Sequence, residues 1–399
     1  MIEMIKKNIN AWSILAIFLI LPFVMIVPGV SWKSQQIFML MATSIIVAFS
    51  LKNVWLRSFV VYLFLWTIYL FLRTLINPLE SFNVMPQTGM SILLFVLAGI
   101  IIIKFVSISN LSDEKFYHVI RIAVVLQIII SVSQYLGFYL WDWLLSYIIV
   151  TAQTTENVGP FIGTLGNRDI LGCFIGLSIP MFLSWKEVKP YQNNLIKALT
   201  VIVLAILLFS PSPGTAAALI GIGVYYSDRG WKAVAIGFLA SLIYVTIYAL
   251  TSYHAANIMA APAQFHGLIS NGYADPMGDN EGRFWKWMTA ASLIFQSPET
   301  IIFGSGPGAF WGRKYPLHNE YIQCWFELGL VGLILMLGYV ISTIKFLIKS
   351  KDMVLLSVFA IICIDAGANY PMHIATTAFL VCIIAGLIER KQIQRRIEE

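Results

Sequence analysis

Residues 318–345 read HNEYIQCWFELGLVGLILMLGYVISTIK. A histidine, a carboxamide and a carboxylate stand at the mouth of an apolar run whose only charge before Lys345 is Glu327. About 20 apolar residues in a helix cross the hydrocarbon of a bilayer. The segment is therefore expected to span a membrane with a polar cluster at one end. Composition extends this reading to the whole chain. Its 399 residues are 59% hydrophobic and 12% charged, with a mean hydropathy of +0.80, against about 25% charged in soluble domains. Such a chain can bury its surface only in lipid. Apolar segments lie near 12–29, 36–51, 56–76, 88–106, 117–138, 169–185, 195–210, 214–227, 231–251, 321–345, 353–369 and 373–389. Backbone groups in lipid must bond within their own segment, so each is expected to be a helix. The expected fold is all-α, a polytopic integral membrane protein of about 12 transmembrane helices, with residues 1–399 forming a single transmembrane domain. No small-residue cleavage site follows the first span, which is read as retained.

Lys and Arg orient the spans. With the N-terminus inside and every span crossing, Lys33, Arg73, Arg168, Arg283, Lys286, Arg313 and Lys314 fall outside, 7 of the 26 basic residues. The other 19, Arg121 and Arg390 among them, fall inside, as the positive-inside rule requires. Both termini are then cytoplasmic. The pI near 9.0 follows from this asymmetry, and no basic stretch points to nucleic acid. Cys173, Cys324, Cys363 and Cys382 all fall inside spans without metal-ligand spacing, and read as small packing residues.

The irregular sequence collects on the outside. Residues 252–320 form a long loop, and loops beyond about 15 residues are usually functional or disordered. Its aromatics and glycines argue for order. Within it, RFWKWMTAASLIFQ (283–296) places apolar residues at helical spacing. With Trp285, Lys286 and Trp287 suited to the headgroup layer, it reads as a helix on the outer surface. Other outer segments are 139–168, with Trp141 and Trp143 as belt residues or sugar platforms; the turn SPSPGT (210–215); and NYPMH (369–373).

Outward-facing arginines and a histidine suit a group transfer in which a phosphate-borne charge is stabilised and an incoming hydroxyl loses its proton. Arginine binds phosphate bidentately and stays charged. A histidine, with a pKa of about 6.5, suits proton transfer near neutrality. The outer carboxylates Asp275, Asp279 and Glu281 sit with Gly278 and Asn280 in a turn-like run, so neither a metal nor any other cofactor is expected. Gly304, Gly306 and Gly308 lack a following Gly-Lys-Ser/Thr and read as a backbone turn rather than a phosphate loop. Glu320 either orients His318 or is a surface carboxylate. Glu327, about two turns further, and Asp365, within a span, are costly charges that call for partners. A lipid-linked-glycan transporter or flippase would carry polar span interiors and pseudo-symmetric halves. Here the first five spans are nearly free of charge. No Ser–His or paired-Asp constellation of an intramembrane protease is evident.

The ordered set GTLGNRDILGCFIGLSIP (163–180), the Ser-Pro-Gly turn (212–214), Arg283 before a helix, GSGPGAF (304–310) and HNEYIQCWFELGLVG (318–332) resembles the O-antigen ligase and O-antigen polymerase superfamily. The resemblance covers about residues 160–345, with topology similar over the rest. It implies a GT-C-like membrane glycosyltransferase in the bacterial inner membrane, active on the periplasmic face, with 252–320 as the periplasmic loop. The implied donor is an undecaprenyl-pyrophosphate-linked glycan, and the acceptor is lipid A core or another glycan. Ligase and polymerase remain open, as does a protein hydroxyl as acceptor. His318 matches the histidine of the family's His-Asn-x-Tyr-Leu motif, thought to be the general base, and Arg283 the arginine thought to bind pyrophosphate. Asn319, Glu320 and Tyr321 are then substrate-contacting candidates. The chain departs from the pattern at Pro213, where ligases carry a functional arginine. Arg168, Arg313 and Lys314 are the cations available to replace it. Arg168 itself stands in the variable place of the family's Asn-x-Asn.

Overall fold

The computed structural model describes residues 11–19, 89–136, 168–185, 190–209, 212–251, 283–306, 309, 317–369, 371–372 and 375–399. The expected spans at 36–51 and 56–76, Trp141, Trp143, residues 252–282, Arg313 and Lys314 lie outside them. The described elements are α1 (11–19), α2 (Gly89–Ile108), α3 (Asp113–Tyr135), α4 (Arg168–Leu183), α5 (Pro190–Phe209), α6 (Pro213–Tyr225), α7 (Trp231–Thr251), α8 (Arg283–Ile294), α9 (Pro298–Phe303), α10 (Glu320–Ser350), α11 (Met353–Asp365) and α12 (Ala375–Glu398). No strand occurs among the described residues. Asp113–Ser133 and Glu320–Ser350 are long and apolar enough to cross a membrane, and the set fits a helical membrane protein.

Small residues decide how these helices meet. α6 reads PGTAAALIGIGVY, and its glycines touch three neighbours. A Cβ on Gly214 would lie 2.6 Å from the Cys173 backbone of α4. One on Gly223 would lie 2.6 Å from the Ala233 carbonyl oxygen of α7, and one on Gly221 2.3 Å from the Ile361 side chain of α11. Without side chains at the crossing points, backbones approach closely, the usual packing device where lipid supplies no hydrophobic drive. The Ser357 hydroxyl donates to the Gly221 carbonyl at 2.5 Å, which adds a polar tie to the α6–α11 crossing. α12 lies against α2 in the same manner: a Cβ on Gly386 would meet Val106 at 2.6 Å and the Ile103 carbonyl oxygen at 2.8 Å.

A single large core joins α1 to α6 with α10, α11 and α12. A separate small cluster contains Ala290 and Ile294 of α8, Leu317, and Phe326 of α10. The molecule thus has a main bundle and a satellite body built from the long loop and the start of α10.

Two features add to the expected picture at this level. Arg121, counted with the inside cations, lies within a helix. It is buried within α3, where its guanidinium donates twice to the Met181 carbonyl at the end of α4 (3.0 and 2.5 Å), pairs with Glu114 and stacks on Trp185 at 4.7 Å. Full hydrogen bonding is what makes a buried charge tolerable. α12 also continues past residue 389, because its charged tail remains helical and Arg395 reaches Glu399 at 3.0 Å. At the end assigned to the inside, Asp113 pairs with Arg390 and with Lys391, and Lys391 pairs with Asp352, the N-cap of α11. Arg390 also donates to the Leu111 carbonyl. α3, α11 and α12 are fastened there by one ionic network.

Candidate active site at the mouth of α10

α10 is not one straight helix. Gly329 has φ 68° and ψ −172°, which breaks the element into residues 320–328 and 330–350. The longer piece rises about 31 Å at 1.5 Å per residue, close to the hydrocarbon thickness of about 30 Å. The break frees carbonyls at the end of the short piece, and the 304–306 turn takes them. Ser305 N–H donates to the Phe326 carbonyl at 2.8 Å and Gly306 N–H to the Glu327 carbonyl at 2.9 Å. Backbone comes so near that a Cβ on Gly329 would lie 2.2 Å from the Ile302 carbonyl oxygen, and one on Gly304 2.5 Å from Glu327. Gly304 and Gly306 therefore form a backbone turn whose N–H groups face helix carbonyls, and Gly308 lies outside the described residues.

The polar cluster sits on the short piece. Asn319 caps it: the side-chain oxygen accepts from the Tyr321 and Ile322 N–H groups at 3.1 and 3.0 Å. Its amide donates to the Gly367 carbonyl at 2.7 Å. Glu320 is buried, and its carboxylate accepts from the Met372 N–H at 2.9 Å, while its own N–H donates to the Ala366 carbonyl at 2.8 Å. The Tyr321 hydroxyl donates to the Cys363 carbonyl at 2.7 Å. These three residues stitch the start of α10 to the end of α11 and the turn beyond it. Glu320 is buried rather than a surface carboxylate, and one of its oxygens is engaged by the backbone at residue 372. The partner expected for Glu327 is the Gln323 amide at 3.0 Å, both side chains being buried. Asp365 is fully buried, with its carboxyl beside the Cys173 thiol of α4. The Gln323–Glu327 bond lies within α10 at i,i+4 spacing, whereas the approach of Asp365 to α4 joins two helices and has no signature in a single sequence.

His318 precedes the cap and is half-buried, with φ 53°. This left-handed conformation is uncommon for a residue with a side chain and is concentrated at sites where surrounding structure imposes it. The residue before His318 is held from α8. The Trp287 indole N–H donates to the Leu317 carbonyl at 2.8 Å, and Leu317 is buried in the satellite cluster. Sequence reasoning suited Trp287 to the headgroup layer, and its polar atom bonds to protein. Trp325 makes a like bond to the Ile301 carbonyl at 3.2 Å, and its ring meets Phe295 edge-on. α8 and α9 are thereby docked on the mouth of α10.

Arg283 is the first residue of α8 and Arg168 the first residue of α4. The Ser212–Thr215 turn, where the resemblance expects an arginine, is built for close packing. Ser212 caps α6 by accepting from the Thr215 N–H at 3.3 Å, Pro213 takes the first helical position, and Gly214 abuts Cys173. A proline suits that position because its missing N–H has no helical partner to lose. Among the described residues, no group of three or more His, Cys, Asp or Glu is placed to hold a metal. Comparison with protein-family models and with curated proteins returns no match to this chain, so its function is argued from the residues themselves.

Proposed function

We propose that this chain is a membrane glycosyltransferase of the O-antigen ligase type. It moves a glycan from an undecaprenyl-pyrophosphate carrier to an acceptor hydroxyl, of lipid A core or of another glycan, on the outer face of the bacterial inner membrane. The acceptor oxygen attacks the anomeric carbon, the bond from that carbon to the pyrophosphate oxygen breaks, and His318 takes the hydroxyl proton. Undecaprenyl pyrophosphate leaves, its charge met by Arg283 with Arg168, Arg313 or Lys314. Neither step calls for a metal or another cofactor. Asn319, Glu320 and Tyr321 hold the mouth of α10 in place and border the acceptor.

The observation that carries this reading is the left-handed His318 held beside the helix that Arg283 opens. His318 and the first residue of α8 thereby belong to one small body, which supports giving them the roles of base and phosphate-binding cation. Polymerase and ligase share this chemistry and differ in the acceptor. Transport is favoured by a different observation, the break in α10 at Gly329, since interrupted helices mark many transporter sites.

Surface-glycan analysis of a host carrying His318→Ala at normal protein level tests the proposal. Loss of transfer is expected, and full transfer overturns it. Deleting the protein separates the readings. A laddered glycan left on its carrier identifies a ligase, a single repeat identifies a polymerase, and carrier-linked glycan retained on the inner leaflet identifies a flippase.

A further inference from the structure

We propose that Trp287 is a positioning residue for His318, an inference that rests on the glycosyltransferase reading for its catalytic meaning. The indole N–H holds the Leu317 carbonyl at 2.8 Å across 30 residues of sequence. Leu317 is fully buried between α8 and α10, so the carbonyl has a fixed donor and a fixed seat. The next residue is His318, with φ 53°. A peptide plane includes the carbonyl of one residue and the N–H of the next, so the bond that fixes the Leu317 carbonyl also fixes the plane entering His318. Trp287 also lies four residues after Arg283 on α8, and positions i and i+4 share a helix face. One turn of helix therefore links the residue proposed to meet the leaving pyrophosphate with the residue that sets the base. Displacement of a catalytic group by about 1 Å can cost on the order of a hundredfold in rate, so one backbone hydrogen bond at this place has catalytic leverage.

The full-length protein in nanodiscs is compared as wild type, Trp287→Phe and Trp325→Phe. Trp325 is the control, because it loses an equivalent indole–carbonyl bond in the same region, to Ile301. Two readouts are taken: the rate at which diethyl pyrocarbonate modifies His318, followed by mass spectrometry, and turnover with lipid-linked glycan. Trp287→Phe is expected to change His318 reactivity severalfold and to lower kcat roughly tenfold or more, with KM for the acceptor little altered. Trp325→Phe leaves His318 reactivity as in wild type, and adding Trp287→Phe to His318→Ala causes no further loss. Unchanged His318 reactivity in Trp287→Phe overturns the proposal, as does an equal change in both variants, which would mean general loosening. If reactivity changes only in Trp287→Phe but wild type transfers no glycan, the positioning role stands and the glycosyltransferase reading fails. Should Trp287→Phe not accumulate, benzothienylalanine at 287 keeps the ring's shape, lacks the N–H, and gives the same two outcomes.

Discussion

Both ends of the Asn319 side chain are engaged, the oxygen by two N–H groups of α10 and the amide by the Gly367 carbonyl. One residue therefore caps a helix and ties it to the turn after another. Asn319→Ala is expected to lower stability by about 1–3 kcal/mol, from a lost N-cap and an orphaned buried carbonyl. Asn319→Asp keeps the cap and loses the Gly367 bond, so it should fall between wild type and alanine. Thermal unfolding of the detergent-solubilised protein orders the three. The polar residues at 318–320 stood out in the sequence because they interrupt an apolar run. Their partners did not, since Gly367 and Met372 contribute only backbone groups, and any residue type offers those.

At the scale of the element, α10 carries the clearest gap between pattern and structure. Hydropathy makes residues 321–345 one span, and three glycines within it look alike. Only Gly329 adopts a positive φ, because only there does a second backbone, residues 302–306, enter the helix. The docking turn is remote in sequence, so the break could not be seen from α10 alone. Gly329→Ala and Gly304→Ala are each expected to cost more than about 3 kcal/mol, combining a disfavoured φ with backbone overlap. Gly230→Ala is the contrast. Its φ is 120°, but nothing lies within 4 Å of the added carbon, so strain of about 1–3 kcal/mol is the only charge against it. Chemical denaturation of the three variants, or their yields of folded protein, tests that order. Helix starts were easier: the predicted spans at 88, 169 and 231 begin within one residue of α2, α4 and α7, where turn and polar residues end an apolar run sharply.

For the whole molecule, the basic residues were legible as a set but not one by one. Their distribution assigned an inside end, and Asp113, Asp352, Arg390 and Lys391 of that end form one ionic network. Counting charges could not separate Arg390 and Arg121, which are buried and bonded, from those that solvate a surface. Arg390→Ala leaves Asp113 short of its buried partner and the Leu111 carbonyl unpaired. A loss of about 3 kcal/mol is expected, and Arg390→Lys should recover part of it, which thermal unfolding can measure. The seat of Arg390 on α12 has a further consequence, one of timing. α12 closes on α2, with Gly386 against Val106, although nearly three hundred residues separate them. At about 5–20 residues per second, α2 waits tens of seconds after its synthesis for the helix that covers it. During that interval its packing face and the Asp113 carboxylate lack their final partners. Cover for α2 therefore arrives late, and a ribosome that stalls before residue 375 leaves that helix without the partner that packs against Val106.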